Sequence, residues 1–112
     1  MPTVNVYYSE DAQAERFDTG TTARLRVFVA ERLTCGDITL VPGEVTIRLI
    51  KVHSASQMMG DIEFDVHAHE FAERVERQDE LCREIVAFVK DELGVASDPK
   101  AWLVLSQLGH SV

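Results

Sequence analysis

The stretch I62-E-F-D-V-H-A-H69 alternates apolar and polar residues without a break. Ile62, Phe64, Val66 and Ala68 therefore fall on one side of an extended chain, with Glu63, Asp65, His67 and His69 on the other. A period of two belongs to a strand with one face in a core and one face in polar surroundings. Such a strand obliges the rest of the chain to supply more sheet and a layer that covers the apolar side. The remaining segments are judged by whether they do so.

T3-V-N-V-Y-Y8 is β-branched and aromatic and reads as a strand, with Val4, Val6 and Tyr8 on one face. E44-V-T-I-R-L-I-K-V52 and A101-W-L-V-L-S-Q-L108 read as two more. Between the first pair, Asp18 and Thr19 are candidate N-caps for a helix reaching Leu33, closed by Cys35-Gly36. Leu25, Phe28, Val29 and Leu33 give it an apolar stripe. A second helix is expected from about Ala72 to Leu93, with Val75, Cys82, Ile85, Val86, Val89 and Leu93 on one stripe and Gly94 as its C′ residue. D37-I-T-L-V-P-G43, S54-A-S-Q-M-M-G60 and S97-D-P-K100 read as connectors.

The order is β-α-β-β-α-β, an α+β pattern built from two similar β-α-β units, about 2–53 and 61–108, within one domain spanning 1–112. Periodicity leaves two architectures open. One is the ferredoxin-like sandwich of binding and regulatory modules; the other places both units in one mixed sheet with two helices on one face. Either way, Ile50, Val52 and Val104 beside Trp102 are expected on the sheet face away from the helices.

Charge narrows the partners. Nineteen acidic residues against 11 basic give a net charge of −8, which argues against nucleic acid and anionic membrane as partners. A few arginines gathered in a pocket still suffice for a small anion. No 18-residue apolar run and no basic-then-apolar leader is visible, so no membrane span is expected and the cytoplasm is the expected location. Cys35 and Cys82 lack a C-x-x-C pattern and are expected to be buried free thiols. H67-A-H69-E70, with His53 or Asp65 nearby, has metal-ligand residue types but no third ligand at fixed spacing, so it reads as a solvated polar strand face or a channel lining rather than as a metal site.

Pro2 has two readings. The first residue of a strand tolerates proline because no ladder donor is needed there. Alternatively, removal of Met1 turns Pro2 into an N-terminal secondary amine able to act as a base near neutral pH. Arg74 and Arg77 also have two readings: substrate ligands, or solvated helix charges balanced by Glu73, Glu76 and Glu80.

Three stretches, in order and spacing, carry a resemblance. They are P2-T-V-N-V-Y-Y-S-E-D, E44-V-T-I-R-L-I-K-V-H-S-A-S-Q-M-M-G-D-I-E-F-D-V-H and F71-A-E-R-V-E-R-Q-D-E-L-C-R-E-I. Together they resemble the tautomerase superfamily, and within it the 5-carboxymethyl-2-hydroxymuconate isomerases. The resemblance implies the tautomerase fold, a homotrimer, and cofactor-free, metal-free isomerisation of a small unsaturated 2-hydroxy or 2-oxo dicarboxylate of aromatic catabolism. It implies Pro2 as general base and Arg74 as a carboxylate ligand, with Arg48 and Arg77 as further candidates. The alternative is a non-catalytic binding or regulatory module on a ferredoxin-like or tautomerase fold.

Overall fold

The computed structural model describes residues 2–9, 17–36, 39–53, 57, 62–93 and 99–106. Four strands form one sheet: β1 (Thr3–Tyr8), β2 (Thr46–Lys51), β3 (Ile62–His69) and β4 (Pro99–Ser106). The helices are α1 (Thr19–Leu33), a short α2 (Ala72–Glu76) and α3 (Gln78–Leu93), and a 3-10 turn at Pro42–Glu44 leads into β2. The turn takes Glu44 out of the expected strand. Gln107 and Leu108 at the expected end of β4, Gly94, and most of the 54–60 connector lie outside the described residues.

The strand order is β2-β1-β3-β4. β1 runs parallel to β2 and antiparallel to β3, and β3 runs parallel to β4. Each β-α-β unit therefore keeps its two parallel strands side by side. A ferredoxin-like sandwich splits that pair with an intervening strand, so this pairing excludes that alternative.

Register then decides the faces. Val4 is opposite Val66 and Val6 opposite Phe64, while Phe64 meets Ala101 and Val66 meets Leu103. These residues join Leu25, Val29, Leu33, Leu81, Ile85 and Val89 in one core, so both long helices cover the same sheet face. Phe64 is fully buried at the centre, its ring 5.8 Å from that of Phe17. Phe28 stacks on Phe88 at 4.5 Å, closing α1 against α3. The opposite face carries Arg48, Ile50, Asp65, His67, Trp102 and Val104. No helix among the described residues is long and apolar enough to cross a membrane.

Local chemistry sets the helix ends. Asp18 caps α1, its Oδ1 accepting from Thr21 N–H at 2.8 Å. That bond favours the ionised carboxylate and holds Asp18 below the ordinary carboxylate range. Thr34 ends the helix with its N–H on Ala30 O, and Gly36 follows at φ 53°, a left-handed conformation that favours glycine.

The second helical segment departs from expectation in two ways. It is broken at Arg77, whose φ and ψ of −105° and 14° lie outside the helical region, so α2 and α3 are separate. Its buried stripe also starts one residue earlier than the apolar pattern suggests. Arg74, Leu81, Ile85 and Val89 are buried, whereas Val75 is 45% exposed. An arginine occupies the position where an apolar count expects a hydrophobe. Cys35 and Cys82 are free thiols as expected but only half-buried.

The core argument predicts that Phe64→Ala lowers unfolding free energy by about 3–5 kcal/mol in urea denaturation. A loss below about 1 kcal/mol contradicts the closure of both helices on β3.

Candidate functional site

β1 is central, so its first residues are held from two sides. Thr3 pairs with Thr46 on β2 and with His67 on β3. Pro2 stands one residue further out, at the sheet end where β3 finishes. Its carbonyl accepts the Thr46 N–H at 3.0 Å, and the residue is buried. Proline tolerates this place because no N–H is demanded of it, and the two ladders fix its backbone.

Arg74 docks at the same end. It is 3% exposed and is the single buried charged side chain among the described residues. Its Nε and Nη2 donate to Leu33 O at 3.0 and 2.8 Å, and its Nη1 donates to His69 O at 2.8 Å. Leu33 is the last residue of α1, where carbonyls have no helical partner and a cation complements the helix dipole. His69 is the last residue of β3. One planar guanidinium thus joins the end of α1 to the end of β3, with the Phe71 ring 4.8 Å from its centre. Burial pushes the guanidinium below its ordinary value, and the Cys35 side chain beside it acts in the opposite direction. Three of its five N–H groups go to these carbonyls, and the Cys35 side chain hydrogen-bonds the guanidinium as well.

The sequence offers Arg74 as a ligand or a solvated charge; the structure adds an internal brace. The signal is slight: an arginine within one turn of Phe71, on the stripe that continues through Leu81. Arg48 and Arg77 lie elsewhere. Arg48 is exposed on β2 opposite Asn5, on the sheet face away from the core and three residue pairs along from Pro2. Arg77, in the break between α2 and α3, pairs with Glu80 at 3.4 Å and Glu84 at 3.6 Å.

Beside the docked Arg74 turn is a cleft of about 720 Å³ lined by His69, Glu70, Ala72, Val75 and Glu76. Sequence reading did not single out Glu70 and Glu76 as part of a cavity. They bring negative charge to its rim, and Arg74, 3% exposed, is not among its lining residues. The His69 ring leans on Phe71 with centroids 4.7 Å apart. His67 bonds Asp65 Oδ2 through Nε2 at 2.9 Å on the uncovered sheet face. Among the described residues, no group of three or more His, Cys, Asp or Glu side chains is placed to hold a metal ion.

No protein-family model and no curated protein sequence matches the chain. Solved structures do match it. A macrophage migration inhibitory factor-like protein from Entamoeba histolytica superposes with a TM-score of 0.59 at 10% identity, over 96% of this chain and 88% of that one. Leishmania major MIF2 gives 0.55 at 12% identity, over 99% and 93%. N1, a member of the cis-3-chloroacrylic acid dehalogenase family, gives 0.57 at 13% identity, over 95% and 74%. All three belong to the tautomerase superfamily, and the α+β fold here, one mixed sheet with two main helices, is theirs.

The brace makes a testable claim on stability. Arg74→Ala leaves two buried carbonyls without donors and is expected to cost about 2–4 kcal/mol, at about 1–3 kcal/mol for each unsatisfied group. Arg74→Lys is expected to recover part of this, since an ammonium lacks the planar fork. Arg77→Ala, removing exposed pairs, is expected to change stability by under about 1 kcal/mol. Equal effects of Arg74→Ala and Arg77→Ala in denaturant unfolding would contradict the brace.

Proposed function

We propose that this chain is a cofactor-free tautomerase acting on a small unsaturated 2-hydroxy or 2-oxo dicarboxylate, as in the 5-carboxymethyl-2-hydroxymuconate isomerases, with Pro2 as general base after removal of Met1. The observation that carries this reading is the position of Pro2: buried, tied to Thr46 and fixed by the central strand, at the sheet end where Arg74 is docked. A base on a strand backbone has no side chain to immobilise, and its ring fixes φ.

The chemistry follows from the groups present. A free α-amino group titrates at about 7.7–8.0, and burial disfavours its charged form further. The neutral Pro2 nitrogen takes the proton of the substrate 2-hydroxyl, and the electron pair moves through the conjugated system to a distal carbon. The prolinium then returns the proton to that carbon, so atoms and charge balance over one turnover. Proton transfer of this kind contributes about 10²–10⁴-fold. The positive charge of Arg74, held at this end of the sheet, favours a substrate carboxylate there.

The assembly belongs to the same proposal. Trp102 and Val104 are 41% and 42% exposed on the uncovered sheet face, which Ile50 shares. A homotrimer buries this apolar surface between subunits and brings Arg48, on that face, against a neighbour. Location in the cytoplasm fits a metabolic isomerase of this kind. A second reading, a non-catalytic binding module, has one observation in its favour: the Glu70 and Glu76 rim opposes entry of a dicarboxylate through that cleft.

Two outcomes are expected. Sedimentation gives a trimer, and a stable monomer contradicts the assembly. Protein with Met1 removed turns over a 2-hydroxymuconate, whereas protein retaining Met1, whose Pro2 nitrogen is a non-basic tertiary amide, does not. Pro2→Ala retains a primary amine and is slowed, by about tenfold or more, without being abolished. Equal turnover with and without Met1, or none at any pH, leaves Pro2 as a strand-starting residue.

A further inference from the structure

The helix layer has an outer surface as well as the inner one packed on the sheet. On α1 the buried stripe is Leu25, Val29, Ala30 and Leu33, whereas Ala23, Arg24, Val27 and Glu31 are exposed. These four, with Phe28 and with Phe88 of α3, line a groove of about 380 Å³. The stacked Phe28 and Phe88 rings join the two helices along it. Val27 is 43% exposed, an apolar side chain left to water between charged neighbours. Arg24 and Glu31 stand at opposite ends of the α1 side, about 10 Å apart at about 1.5 Å per residue. The groove is on the helix side of the sheet, so the face assigned above to the trimer leaves it uncovered.

We propose that this groove is closed by the same groove of a second copy, with α1 antiparallel to α1 about a twofold axis. An axis between Val27 and Phe28 sets Val27 of each copy against Phe28 of the other, and Arg24 against Glu31. A twofold contact must be self-complementary. The order Arg24, Val27, Phe28, Glu31 meets that condition, with opposite charges equally far on either side of an apolar centre. A parallel arrangement would instead face Arg24 with Arg24 and Glu31 with Glu31. The contact does not need Arg24 free of its own partners. Arg24 bonds Glu92 through Nε at 3.0 Å and Nη2 at 2.8 Å, and Thr21 Oγ1 through Nη2 at 3.2 Å. The two N–H groups on Nη1 take no part in these bonds and can donate to a second carboxylate. Glu31 is exposed and has no hydrogen bond or ion pair among the described residues, so it is available as that carboxylate. Apolar burial around Val27 drives the contact, and the charges set its direction.

A helix of a different protein is the competing occupant. It would need an apolar centre flanked by charges in the reverse order, and this chain's own α1, turned about the twofold, supplies that pattern in register.

Sedimentation velocity of the whole chain over a concentration series tests this. Wild-type protein is expected to gain a larger species as concentration rises, and Val27→Asp is expected to lose that step. A step that Val27→Asp retains belongs to the sheet face, which keeps this result separate from the trimer. Arg24→Glu puts a carboxylate beside Glu92 and against Glu31 of the other copy. It is expected to weaken the same step about tenfold or more, as like charges do when they face each other across an interface. The double variant R24E/E31R is expected to recover it, because the reversed pair meets again across the twofold. Within one chain the two positions are too far apart to pair, so recovery reports contact between copies. Association of Val27→Asp or Arg24→Glu equal to wild type, or a double variant no better than Arg24→Glu, would overturn the proposal. So would wild-type protein with no step sensitive to Val27→Asp at any concentration, the result expected if another protein's helix is the occupant.

Discussion

The double pairing of Thr3, with Thr46 on one side and His67 on the other, is the constraint on which the rest depends. It makes β1 a central strand whose register cannot slip. A slip of one residue would send Val4 and Val6 to the open face and bring Asn5 into the core. With the register fixed, Pro2 has one place to be, and the end of β3 must lie next to it. Arg74 then secures that corner. By bonding Leu33 O and His69 O together, it makes the position of α1 and the length of β3 interdependent. A site at this end inherits the rigidity of three elements, which is what proton transfer at close range requires.

Much of this was legible in the sequence. The strict alternation of Ile62–His69 identified both the strand and its buried side, and the β-branched run Thr3–Tyr8 did the same for β1. Asp18 announced the start of α1 because a short side-chain oxygen before a helical stripe has one obvious partner, the N–H of the first turn. The α+β order with duplicated units was legible too. Strand order was not, since periodicity records which side of a strand is buried and says nothing of its neighbour. The choice between a split β-α-β unit and an adjacent pair therefore waited on the ladders themselves.

The site was less legible, and for a specific reason. Apolar counting selected Val75 and Cys82 as the inner stripe because it treats arginine and glutamine as outward-facing. Arg74 instead lies inward and meets backbone carbonyls, and Gln78, next on the same stripe, donates to Leu103 O at 3.0 Å. Polar side chains whose partners are backbone groups of distant elements leave no local signature. Arg48 and Arg77 show the converse: residue type alone suggested ligands, but the first points from the uncovered face and the second is engaged with Glu80 and Glu84. The acidic rim formed by Glu70 and Glu76 was also invisible, since it exists only once α2 folds back beside the end of β3.

The account rests on Pro2 being a neutral amine poised in that corner. The most direct test labels proline with ¹⁵N in protein lacking Met1 and follows the Pro2 nitrogen shift with pH, alone and with a 2-hydroxymuconate-type dicarboxylate present. The account predicts a single titration at or below the α-amino reference of about 7.7–8.0, with the dicarboxylate moving the Pro2 resonance. A titration well above that reference, with no response to the dicarboxylate, would contradict it.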